Sequence, residues 1–190
     1  MPVPDRTDCF PDMIRVIFLT AVLLSTGGIG SVAPTVVAVD PGHVLQRFDG
    51  LGCGTIFFEG HIHVDWGNSW KLTKIYHGFR QFASRLVPGM HVVQSTVTGP
   101  GASGISQPGV KACAFRSKDT KRTVVNIANV QDQATEIVLK IQGSQAGNIK
   151  AWRTSGTENI VPLPASPAKN GPPTYSLPPR GMLTIEINSP

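Results

Sequence analysis

The chain has 190 residues and a formal net charge of +5. Its 20 glycines and 16 prolines amount to about 19% of the residues, against roughly 12% in average proteins. With 15% charged and 41% hydrophobic residues, this composition excludes a disordered chain and a helical bundle, and it suits a turn-dense β protein. The lysines and arginines form no block, so no nucleic-acid partner is expected, because a phosphate-binding face needs clustered cations.

The amino-terminal region is organised for export. Arg15 precedes the apolar run Val16–Leu24, and small residues follow from Ser25 to Ala33. That order is the pattern of a secretory signal peptide. The apolar core has about ten residues, half of what spans a bilayer. An extracellular, secreted product is expected, with no membrane association once the signal is cut. Met13 is a more natural start than Met1, since Met1–Asp12 is rich in Asp and Pro. Ser31-Val32-Ala33 resembles a cleavage site, but Pro34 disfavours it, and a cut after Gly30 is the alternative. Residues 1–33 are set aside as leader and signal. Cys9 falls within them, which leaves Cys53 and Cys113. In an oxidising compartment, a disulfide between the two and a pair of buried thiols are both open. No Cys-x-x-Cys is present, so structural zinc and thioredoxin chemistry have no support.

In chain order, Val36–Val39 reads as a strand, Asp40-Pro41-Gly42-His43 as a turn, and Val44–Phe48 as a second strand ended by Asp49-Gly50. Residues 34–54 are thus expected to form amino-terminal strands. From His61 to Trp66 the residues alternate, with His61, His63 and Asp65 on one face and Ile62, Val64 and Trp66 on the other. Leu72, Ile75, Tyr76, Phe79, Phe82, Ala83 and Leu86 recur at three- and four-residue steps. They predict one amphipathic helix over about 70–87, capped by Asn68 or Ser69 and ended by Pro88-Gly89. Its other side carries Lys71, Lys74, Arg80 and Arg85.

Short strands follow the helix. They are expected at His91–Thr98, Lys111–Ser117, Arg122–Asn129, Thr135–Ile141, Asn148–Ser155 and over the residues around Leu183, Ile185 and Ile187. Gly99–Gly109 and the Pro-rich Pro162–Pro173 read as loops, and Lys118–Lys121 as a hairpin turn. This spacing predicts a mainly β fold, an antiparallel β-sandwich over 90–190 joined by the amino-terminal strands.

Several residues could carry chemistry. Glu59 and Asp65 are an acidic pair, but a retaining glycosidase holds its carboxyl groups about 5–5.5 Å apart. Six extended residues span roughly 20 Å, so the pair could work only if the chain reversed near Gly60. His61, His63 and Asp65 have one-face spacing for a divalent metal, yet no partner segment offers further ligands. No metal or other cofactor is assigned. No nucleophile elbow or phosphate-binding loop is present. Trp66, Trp70, Trp152, Tyr76 and Tyr175 are candidate platforms for a sugar face, or else core residues, the commoner fate of aromatics.

Several segments resemble glycoside hydrolase family 30, in particular its fungal endo-β-1,6-galactanase-like members. Gln46-Arg47-Phe48-Asp49-Gly50-Leu51-Gly52-Cys53 is similar to the motif leading into the family's first barrel strand. Lys74–Gly89 is similar to the last barrel helix and the Pro-Gly after it. Ala114-Phe115-Arg116, Val124–Asn129, Trp152–Ser155 with Glu158-Asn159, and Leu177–Met182 are similar to the accessory β-sandwich. The resemblance implies retaining hydrolysis of β-linked glycans by whole members and a cell-wall or arabinogalactan-type glycan as partner. It also implies that strands before the barrel join the sheets formed after it.

A whole (β/α)₈ barrel needs at least about 200 residues, whereas about seventeen separate Cys53 from Lys71. The family's two catalytic glutamates lie at the ends of barrel strands within that missing stretch, and Glu59 matches neither motif. No catalytic residue is therefore carried over. Residues 55–70 are read as a junction in place of the barrel, left by a deletion, a misjoined intron or a degenerate barrel strand. The sequence thus implies a secreted glycoside-hydrolase-like chain without catalytic competence. The alternative is a carbohydrate-binding or structural β-sandwich module.

Overall fold

The computed structural model describes residues 33–50, 60–65, 67, 69–104, 107–143, 147–164 and 171–189. The expected signal core Val16–Leu24, Cys53, Glu59 and Trp66 lie outside them. Every element below belongs to the unit Ala33–Pro190.

Strand β1 (Thr35–Arg47) buries Thr35, Val37 and Val39 on one face, as alternation demands. It does not turn back at Asp40-Pro41-Gly42-His43. Asp40 pairs with Gln94 and Val44 with the next residue, Val93, so Pro41, Gly42 and His43 bulge from a strand that continues. The Asp40 carboxylate stabilises the bulge by accepting from the Gly42 amide at 2.9 Å. The turn signal was local and genuine, but the partner strand runs past it. Bulges of this kind bend a strand and raise its twist.

Strands β2 (Ile62–Asp65) and β3 (Ser69–Leu72) form a separate hairpin. Helix α1 (Lys74–Ala83) follows and is shorter than expected at both ends. Thr73, rather than Asn68 or Ser69, caps it by accepting from the Tyr76 amide. The Thr73 hydroxyl also donates to the Gly60 carbonyl at 2.7 Å. Ser69–Leu72 is consumed by pairing with β2, so Leu72 belongs to a strand although its spacing fits the helical stripe. Beyond the helix, Gly89 adopts a positive φ of 92°, a conformation glycine enters without a Cβ penalty. From there its amide donates to the Phe48 carbonyl at 2.7 Å.

The remaining strands are β4 (His91–Thr98), β5 (Val110–Arg116), β6 (Arg122–Asn129), β7 (Thr135–Ile141), β8 (Asn148–Thr154), β9 (Val161–Leu163), β10 (Thr174–Leu177) and β11 (Met182–Asn188). The Pro-rich segment enters the sheet at its start, because Pro162 lies in β9. That strand is an edge, where a missing amide donor is tolerated. Among the described residues the large sheet runs β10-β7-β1-β4-β5-β6-β11-β8-β9. Its joints are antiparallel except that between β1 and β7, which is parallel.

The sheet curls until its two ends share one core. Val37, Ile137 and Leu177 from one end pack in the same cluster as Ile127, Ala151 and Ile185 from the other. Arg153 on β8 closes the curl by donating to the Ser176 carbonyl on β10 at 2.9 Å. Its other guanidinium edge meets Glu158 at 2.6 and 2.7 Å, and that hydrogen-bonded pairing holds the Glu158 carboxyl below the usual range. The expected mainly β architecture is present, and the amino-terminal strand is an interior member of the sheet.

The outer face carries α1. Phe82 and Leu86 pack against Met90, Phe115 and Val124. Cys113 joins this patch as a free thiol, and burial pushes its pKa up to about 11.

Candidate functional site

The side chain that seats α1 is polar. Gln81 is 0% exposed. Its amide nitrogen donates to the carbonyls of Trp152 (3.0 Å) and Met182 (3.2 Å) and to the Thr184 hydroxyl (3.2 Å). Its amide oxygen accepts from the Thr154 hydroxyl at 2.5 Å. Thr184 in turn donates to Asn126 at 2.7 Å. A buried amide is tolerable only when satisfied in this way. The apolar stripe read from the sequence is therefore split. Phe82 and Leu86 face the sheet, whereas Ile75 and Phe79 stay exposed together with Ile62, Trp70 and Leu72.

Between α1 and the outer face of β8 and β11 lies a cleft of about 560 Å³, lined in part by His77, Arg80, Arg85, Lys150, Trp152 and Glu186. The Arg85 guanidinium sits 3.4 Å above the Trp152 ring centroid, and its Nη1 donates to Ser84 Oγ at 2.8 Å. Burial lowers the Arg85 pKa, and neighbouring Glu186 opposes that shift. Lys74 ties the helix to the loop after β8, donating to the Glu158 carbonyl and to Asn159 Oδ1 at 3.1 and 2.6 Å.

The sequence candidates are dispersed. His61 packs its ring edge-on against Phe79, with centroids 5.4 Å apart. Among the described residues, no group of three or more His, Cys, Asp or Glu could hold a metal ion. Tyr175 lies in the core, and its hydroxyl has no hydrogen-bond partner among the described residues. Burial raises its pKa. Tyr76 is half-buried beside His77. Trp152 has its face covered by Arg85, which leaves no room for a sugar on that side. Trp70, at 69% exposure, is an open platform on β3. Sequence reading missed Gln81 and the cleft altogether. The one available signal was a set of cations on one side of the helix, Arg80 and Arg85 among them.

Solved structures share this topology. A glycoside hydrolase family 30 subfamily 8 xylanase from Clostridium acetobutylicum superposes with a TM-score of 0.52 at 22% identity, over 63% of this chain and 29% of its own. The chain resembles glycoside hydrolase family 30. A family 30 endoxylanase from Clostridium papyrosolvens gives a TM-score of 0.51 at 20% identity, over 62% of this chain and 28% of its own. An arabinofuranosidase gives 0.51 at 15% identity, over 68% and 31%. At such identities the likeness is one of fold, and the chain spans less than a third of each enzyme. No protein-family model matches the chain, and neither does any curated protein. Among the described residues, no helix is long and apolar enough to cross a membrane.

Proposed function

We propose that this chain is a secreted, non-catalytic relative of endo-β-1,6-galactanases that binds a cell-wall glycan through its β-rich unit. The observation that carries this reading is the fold likeness to family 30 enzymes over less than a third of their length. The electrostatics agree with it. Double displacement needs two carboxyl groups about 5–5.5 Å apart, one of them with a raised pKa. Glu186, the carboxylate lining the cleft, faces Arg122 at 3.5 Å. Glu158, next to the lining residue Asn159, is clamped by Arg153 and shifted downward. A carboxyl held below its usual range, as that of Glu158 is, is not poised to donate a proton at neutral pH.

Trp70 supplies the glycan platform in this reading. A pyranose face covers an exposed indole, and losing the ring should weaken binding about tenfold. Calorimetric titration with β-1,6-galactan oligosaccharides should therefore show about tenfold weaker binding by Trp70→Ala. Reducing-end assays should show no hydrolysis by the unmodified chain. Unchanged affinity in the variant removes Trp70 from the account. Hydrolysis that disappears on Glu59→Gln overturns the non-catalytic reading.

A further inference from the structure

We infer that the cleft between α1 and the outer face of β8 and β11 binds the acidic group, a carboxylate or a sulfate ester, of a charged saccharide. The inference rests on the glycan-binding reading above and adds a second subsite to it. The cleft's volume of about 560 Å³ falls within the range of small-molecule sites, and its walls carry an excess of positive charge. Arg80, Arg85 and Lys150 stand against Glu186 alone among its described lining residues. Glu186 also has Arg122 at 3.5 Å and the Asn188 amide donating at 3.3 Å, so its one negative charge is shared and does not balance the three cations. Arg80 and Lys150 are exposed and form no ion pair with any described residue.

Arg85 explains why charge, rather than stacking, is read here. Its guanidinium occupies one face of Trp152, so a neutral sugar cannot pack on that face of the indole. The stack and the bond to Ser84 hold the guanidinium in one place before any ligand arrives. A pre-positioned planar guanidinium suits bidentate pairing with a carboxylate or sulfate, and little ordering cost remains on binding. Arg80 and Lys150 supply further donors from the helix and the sheet.

The test is calorimetric titration of the whole chain with trigalacturonate, with neutral β-1,6-galactotriose and with sodium sulfate. Trigalacturonate should bind about tenfold more tightly than the neutral trisaccharide and should weaken as salt rises. Arg80→Ala and Lys150→Ala should each weaken it about fivefold or more. Lys140→Ala removes one exposed charge from β7 outside the cleft and should leave binding unchanged. Equal affinity for the acidic and neutral sugars overturns the inference while leaving glycan binding intact. An equal loss in Lys140→Ala also overturns it, because the attraction is then diffuse. Sulfate binding as tightly as trigalacturonate reduces the cleft to a simple anion site and overturns the saccharide assignment. Failure of both sugars to bind overturns this inference together with the glycan-binding reading.

Discussion

Replacing Gln81 by Ala should lower the unfolding temperature by about 10 °C and release α1 from the sheet. The side chain is fully buried, and its removal takes a donor from the carbonyls of Trp152 and Met182, while the hydroxyls of Thr154 and Thr184 each lose one of their bonds and keep those to Ile160 and Asn126. Leaving buried polar groups unsatisfied costs about 1–3 kcal/mol each where water cannot enter, and a cavity adds to the loss. A total of about 3 kcal/mol corresponds to roughly 10 °C in a unit of this size. Gln81→Glu keeps the shape but presents a carboxylate to the carbonyls of Trp152 and Met182, so it should cost at least as much. Thermal unfolding followed by far-ultraviolet circular dichroism measures both. A drop below about 2 °C for Gln81→Ala would mean that Phe82 and Leu86 alone hold the helix.

Gln81 also shows where sequence reading stops. A glutamine amid a helical apolar stripe reads as surface, because its partners Thr154 and Thr184 stand far along the chain. Nothing local announces that they converge. Trp152 has the same problem in reverse: it is a fair sugar platform until Arg85, remote in sequence, covers it. The strands were more legible. Leu183, Ile185 and Ile187 alternate with Thr184 and Glu186, and all three are buried; Ile137 and Leu139 of β7 are buried too, while Ile141 at the end of that strand is half-buried. Alternation needs only the residues of one strand, so it survives without knowledge of the partner. The Asp40–His43 segment lies between these cases. Its residues demand a local deformation, but whether that becomes a turn or a bulge is decided by β4. At Ser69–Leu72 two periodicities compete, and pairing with β2 wins because Thr73 caps the helix behind it.

The second large effect is expected at the amino-terminal strand. Val37 is 0% exposed and sits in β1 between β4 and β7. Val37→Asp would place a carboxylate in the shared core beside Ile137 and Leu177, with no cation in that cluster to meet it. An unpaired buried charge costs about 3–5 kcal/mol or more, a large part of the 5–15 kcal/mol that stabilises a typical domain. The variant should lose most of its soluble yield and unfold at a much lower urea concentration. Val37→Ala should remain folded, at a cost of about 1–3 kcal/mol. If Val37→Asp unfolds at the wild-type urea midpoint, β1 does not lie in the core.

The measurement that bears most directly on the account is native-state hydrogen exchange of the whole chain. A strand from the amino-terminal end, β1, is an interior member of the sheet built by the carboxy-terminal half. The amides of Val36–Val39 on β1 should then exchange only through global unfolding, with the same opening free energy and denaturant dependence as those of Val124–Ile127 on β6. Exchange of the β1 amides at rates near those of an unstructured peptide, while β6 stays protected, would contradict it.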